Sequence, residues 1–478
     1  MFLNKSGIFW LLTLAVINFL IISQLIQEGM FMDGMLYTAV GKNLSDGLGT
    51  FWEPHFSKTT MAFFHEQPPL YFGLLAGFYK IFGTSMYTER FFVFVFYFIS
   101  LVYIVKLWKK ITDNKQALSE HTWLPVLFYS TIPVCFWAYA NHVEEVVMCG
   151  FVLPAVYYLY SALFSNKKVF FYLIVSGVFI FLASLTKGVQ GLFPITSVFF
   201  YRIITQKISW KKTFIYSSVL VGVPAFIYGF LILIDHNIYI SFEEYFSNRF
   251  VKTFNNVYAT TDNRLEIVGR LFTELLPILS VAVLIKFFSR NQKLRNTKMS
   301  FESSDKLVWL LAMGLSGSLP LAVTTEQRGF YLVTSLPYFA LTIALWIAPT
   351  LIELLKKINE NKLPVKIFGL ITCISFLISI WFCFSRIGKF KRDKELLSDI
   401  YQIGKVVPKG AVLNTTATMW NRWDIQTYFI RYFYISLNAG SEKNKYFIKQ
   451  KNLPDSLIPK DYILYPLKTN QLNLYTLP

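Results

Sequence analysis

Apolar residues run in blocks of about twenty along most of the chain, the length a helix needs to cross a bilayer, with short polar connections between them. The first block covers residues 7–26. Later blocks cover residues 87–107, 122–140, 146–164, 169–185, 189–201, 213–234, 267–288, 307–323, 329–347 and 365–384. The pattern predicts an all-α polytopic membrane protein with about eleven transmembrane helices. Residues 68–82 are also apolar but too short for a span. They predict a re-entrant or juxtamembrane helix opened by Pro68 and Pro69, since proline is tolerated in a first turn.

Two stretches break this pattern. Residues 30–72 form a polar, aromatic, carboxylate-bearing loop containing Asp33, Asp46, Glu53, His55, His65 and Glu66, and unpaired ionised groups do not stay in hydrocarbon. This loop therefore belongs at an interface or in a water-filled cavity. Beyond residue 384, an amphipathic helix ending near Pro408 precedes short β-rich runs at 411–416, 428–438, 445–450 and 461–467, which predict a small α/β extramembrane domain. The expected division is a transmembrane domain at 1–385, carrying the first outer loop at 27–86, and an outer-face α/β domain at 386–478.

Composition agrees with the membrane class. Of 478 residues 54% are hydrophobic and 15% charged, too apolar for a soluble protein of this length. The net charge of +18 comes largely from lysines and arginines in alternate connections, such as SNKK, YRIITQKISWKK, KFFSRNQKLRNTK and LKKINENKLPVK. By the positive-inside rule these connections are cytoplasmic, so the N-terminus is inside, the C-terminal domain lies on the outer face, and nucleic acid is not a partner. Cys135, Cys149, Cys373 and Cys383 all fall in apolar blocks and offer neither a disulfide framework nor a metal pair. No small-residue cleavage site follows the first block, which predicts a retained helix.

That topology brings the unusual polar residues to one side. Asp33 begins the first outer loop, Glu144 and Glu145 open the block at 146–164, Lys187 ends the block at 169–185, and Arg328 opens the block at 329–347. Carboxylates beside cations at the outer membrane surface suit a reaction between a hydroxyl, which needs a base, and an anionic leaving group, which needs positive charge. A lipid-linked phosphate would arrive at that depth. Each residue also has a structural reading: Asp33 as a helix cap, Glu144 and Glu145 as acids favoured at a helix start, and Lys187 and Arg328 as interfacial anchors. His65, Glu66 and the distant His236 are candidate substrate contacts or ligands for a divalent metal ion, though no HxxxH or HxH spacing accompanies them.

The segment from Asp33 to Arg90, with its D-G-x-x-Y start, HEQPPLYF and FGTSMYTER, resembles the first outer loop of GT-C fold glycosyltransferases of the protein O-mannosyltransferase and aminoarabinose-transferase superfamily. The acidic helix start at Glu144, the LTKG ending at Gly188 and RGFYLVTSLPYFAL from Arg328 are similar too, so the resemblance spans residues 2–346. It implies a GT-C fold, a polyprenyl-phosphate-linked sugar donor and a glycan, lipid or protein acceptor of the cell envelope. By it, Asp33 matches the catalytic carboxylate, Glu144 or Glu145 the second acidic position, and Lys187, Arg328 and Tyr331 the donor-phosphate site. Two positions depart from the pattern: Gly34 stands where many members have Glu, and Gln67 where the aminoarabinose enzymes have Lys. The reading is a membrane glycosyltransferase of lipopolysaccharide or protein glycosylation, expected in a bacterial inner membrane. The competing classes are a secondary transporter or lipid flippase, against which the absence of a visible inverted repeat counts, and a non-catalytic scaffold.

Overall fold

The structure, a computed structural model, describes residues 4–112, 116–165, 167–254, 258–290, 301–360 and 362–478. Parts of the expected basic connections (113–115, 166, 291–298 and 361) lie outside the described residues. Among the described residues nine helical stretches are long and apolar enough to cross a membrane, or ten if one bent pair counts as a single span. This is an integral membrane protein, and it divides into two compact units whose limits follow packing rather than chain order.

The first unit comprises residues 1–25, 93–140 and 145–387. Its helices depart from regular spans at two places for local reasons. Residues 122–140 form two helices, Ala117–Thr131 and Pro133–Asn141, bent by 71° at the break, where proline cannot continue the hydrogen-bond ladder. The Val134 N–H left over at the break donates to buried Glu274 Oε2 at 2.7 Å. The apolar stretch Val169–Thr205 passes as one span by length, but it is folded back. The helix Val169–Lys187 stops at Gly188, whose φ of +66° is a left-handed value that glycine adopts without strain. The 3-10 segment Gly188–Thr196 then doubles back, so closely that a Cβ on Gly191 would lie 2.5 Å from the Ala183 carbonyl carbon. Lys187 therefore sits at a hairpin-like reversal. The expected block at 329–347 begins with a 3-10 turn, Gly329–Leu332, and its α-helix runs Leu336–Lys357 with proline in the first turn.

The second unit comprises residues 26–92, 141–144 and 388–478. Its sheet has the order β2-β1-β3-β5-β4, with β1 Val412–Thr415, β2 Ser436–Asn438, β3 Tyr446–Gln450, β4 Ile463–Leu464 and β5 Leu472–Thr476. β1 runs parallel to β2 and β3, while β5 is antiparallel to both β3 and β4. The run 428–438, expected to be β-rich, is helical as far as Phe433. Ile425, Tyr428 and Phe429 recur at helical spacing and all are buried, so the amphipathic period overrides the β preference of the aromatics. The helix Lys394–Val406 presents Leu396, Leu397, Ile400 and Ile403 to the same core. Met30 and Met35 of the first loop enter that core as well. The loop also covers the β2 edge, with Ser436 Oγ accepting the Lys58 N–H at 3.1 Å and Thr59 Oγ1 donating to the Leu437 carbonyl at 2.7 Å.

Candidate active site

Asp33 lies in the first turn of the helix Met32–Ser45 and is half-buried. It is not the cap: Phe31 holds that position. The Phe31 N–H donates to Asn141 Oδ1 at 2.9 Å, which ties the start of this helix to the segment 141–144. Gly34 makes that approach feasible, because a Cβ there would fall 1.9 Å from the Asn141 carbonyl oxygen. The departure at Gly34 thus has a steric cause. The same segment ends at Glu144, fully buried at the start of the helix Glu144–Phe164, where the dipole favours a carboxylate.

Around this pair the second unit adds residues the sequence reading did not single out. Tyr71 is buried and its hydroxyl donates to the His142 carbonyl at 3.1 Å. Burial raises the Tyr71 phenol well above its ordinary value, helped by the charges of Glu144 and Glu89 and opposed by Arg90. Arg90 is itself buried, with Nη2 3.4 Å from the Gly29 carbonyl oxygen. His142 has φ +58° and a fully buried ring. Burial holds its pKa well below the usual histidine value, reinforced by Arg90, Lys391 and Arg431. Arg431 pairs with buried Glu89 at 2.7 Å, and Tyr79 also donates to Glu89. Arg90 closes a motif that the sequence shows. His142 and Arg431 carry no comparable signal.

In the first unit three of the expected residues come together. Lys187 Nζ lies 3.0 Å from Glu145 Oε1, both buried, and 5.4 Å from the centroid of the Tyr331 ring. Glu145 is the residue after Glu144, and adjacent residues on a helix point about 100° apart. Tyr331 donates to Glu326 Oε1 at 2.9 Å, and Glu326 is held by both guanidinium nitrogens of Arg249, at 2.9 and 2.5 Å. Arg328 does not join this network. Its side chain is exposed and makes no hydrogen bond or ion pair among the described residues. Arg270 approaches the neighbouring Gly329, with Nε 3.0 Å from where a Cβ would stand, and pairs with Glu274 at 2.9 Å. Arg249, Arg270, Glu274 and Glu326 were not singled out in the sequence, where isolated charges near helix ends give no sign of pairing.

His65 and Glu66 are half-buried in the loop of the second unit, with His65 stacked beside Phe63. His236 belongs to the first unit and stacks on Tyr239. Among the described residues no group of three His, Cys, Asp or Glu side chains is placed to hold a metal ion.

Residues 66–230 match the family model described as dolichyl-phosphate-mannose-protein mannosyltransferase. No curated protein sequence matches the chain significantly. Among solved structures, ArnT from Cupriavidus metallidurans bound to undecaprenyl phosphate superposes with a TM-score of 0.66 at 9% identity, covering 99% of this chain and 98% of that one. The chain has the GT-C fold. The apo state of the same ArnT gives a TM-score of 0.63 at 9% identity over 95% of both chains. The Archaeoglobus fulgidus oligosaccharyltransferase in its apo form gives 0.51 at 12% identity, covering 92% of this chain and 70% of that one. The GT-C fold accounts for the long membrane part and for the small α/β region that follows it.

Proposed function

We propose that this protein is an integral-membrane glycosyltransferase that transfers a sugar from a polyprenyl-phosphate-linked donor to a hydroxyl of a cell-envelope acceptor. The observation that carries the reading is the likeness, over nearly the whole of both chains, to an ArnT bound to undecaprenyl phosphate. The membrane is the bacterial inner membrane, with the N-terminus cytoplasmic and the second unit on the outer face, as the basic connections favour.

Asp33 is the general base. The acceptor oxygen attacks the anomeric carbon as the bond to the phosphate breaks, its proton passes to Asp33, and the polyprenyl phosphate leaves with the bonding pair, inverting the centre. Glu144 supports the acid–base site from the neighbouring segment. Arg328, exposed and uncompensated by a carboxylate, is the better candidate for the donor phosphate. Lys187 is already neutralised by Glu145, which weakens its pull on an anion and makes it chiefly a local organiser of Tyr331. The test is mass analysis of envelope glycolipids, glycans and glycoproteins with and without the gene. A sugar that disappears and returns on complementation supports the proposal. Unchanged glycosylation together with accumulation of an untransported envelope lipid would favour a flippase.

A further inference from the structure

At the end of the first unit bearing Lys5, the helices Lys5–Ile17, Leu336–Lys357 and Leu363–Phe384 leave a groove of about 250 Å³. It is lined by Ile8, Phe9, Leu355, Ile358, Val365 and Phe368, with Lys5 at its mouth. Ile358 and Phe368 are each 41% exposed, so the groove opens on the lipid-facing side rather than into the protein. Its floor is fixed by close packing. Ile8 Cδ1 lies 3.3 Å from where a Cβ on Gly369 would stand, and Phe9 stacks on Trp123 at 4.3 Å.

Lys5 is the charged residue of the lining, and further lysines flank the lining in the sequence: Lys356 and Lys357 precede Ile358, Lys362 precedes Pro364 and Lys366 follows Val365. Lys5 Nζ is anchored by the Leu355 carbonyl at 2.8 Å and lies 3.7 Å from Glu360, a long and solvent-screened pair. Lys357 and Lys362 are exposed. An apolar slot between helices of membrane-spanning length, with Lys5 in its lining and exposed lysines next to the lining in sequence, matches a molecule with an acyl chain and a negative head.

We infer that this groove is a binding site for one anionic phospholipid of the leaflet on the Lys5 side, with an acyl chain along Phe9 and Phe368 and its phosphate among Lys5, Lys357 and Lys362. The site is separate from the residues assigned to sugar transfer and does not depend on that assignment.

Native mass spectrometry of the full chain, released from mild detergent after incubation with equal amounts of phosphatidylglycerol and phosphatidylethanolamine, tests it. The parent is expected to retain one phosphatidylglycerol, preferred about tenfold, the ratio that about one charge-assisted contact provides. Val365→Trp, which fills the groove, abolishes retention. Ile371→Trp, at a lipid-exposed position outside it, does not. Lys357→Gln with Lys362→Gln removes the headgroup preference while leaving an adduct. The inference is overturned if the parent retains no phospholipid, if retention survives Val365→Trp, if both headgroups bind equally, or if added polyprenyl phosphate displaces the phospholipid from this site.

Discussion

The Glu145–Lys187 pair offers the sharpest energetic prediction. The carboxylate is fully buried, the ammonium is 8% exposed, and they lie 3.0 Å apart at the reversal beside Gly188. Replacing Lys187 by Met keeps the volume and the packing on Tyr331 but leaves a buried carboxylate without its cation, a loss of about 3–5 kcal/mol in comparable cases. Part of it, about 0.5–2 kcal/mol, is the cation–π contact with Tyr331. Glu145→Gln leaves a buried ammonium, partly retained by Tyr331, and costs less. The double variant Glu145→Gln, Lys187→Met removes both charges, so its stability should lie well above the sum of the single losses, with a coupling on the order of 1–3 kcal/mol. Midpoints of thermal unfolding in detergent, read by size exclusion for all four proteins, close the cycle. Additive losses, or a Lys187→Met variant as stable as the parent, would refute the buried pair.

Gly34→Ala pushes a methyl against the Asn141 carbonyl and should lower stability by about 1–3 kcal/mol, the usual scale of overpacking, together with a fall in transfer activity. A variant matching the parent in both would show that the helix start at Met32 does not abut segment 141–144. Arg328→Ala should leave the unfolding midpoint unchanged, since the side chain is exposed, but raise the donor concentration for half-maximal transfer about tenfold through loss of one charge-assisted contact. An unchanged donor dependence moves the phosphate site to other cations such as Arg270. His142 has a depressed folded-state pKa, so between that value and about 6.5 the unfolded chain binds the extra proton and stability falls as pH drops. His142→Asn should flatten this decline by up to about 1.4 kcal/mol per pH unit, and identical profiles below about pH 6.5 would contradict a buried neutral imidazole.

Much of the fold was legible because a membrane imposes a strong, simple rule: blocks of apolar residues must be helical and long enough to span. The departures are local. Pro133 breaks a block that hydropathy averages over, whereas the reversal at Gly188 falls between the two blocks read at 169–185 and 189–201. The strand order could not be read, because the aromatic run 428–433 satisfies helical and β patterns equally until burial of Ile425, Tyr428 and Phe429 decides between them. Nor could the sequence show that Met30 and Met35 share a core with Leu397 and Ile448, residues hundreds of positions away. For the candidate site, Asp33 and Glu144 were legible as carboxylates flanking apolar blocks. The pairing of Glu145 with Lys187 was not, since isolated charges near helix ends give no sign of which cation each will meet.

Asp33 is the residue on which the proposed transfer depends most. Asn keeps its size and one acceptor oxygen but removes charge and basicity, and Phe31 rather than Asp33 occupies the helix cap. The decisive measurement is the initial rate at which membranes containing equal amounts of parent or Asp33→Asn protein move the sugar identified by envelope analysis from its polyprenyl phosphate to acceptor. The rate for Asp33→Asn should be at least about a hundredfold lower with the donor dependence little changed, the scale of a lost general base. An Asp33→Asn protein that transfers sugar at the parental rate would contradict it.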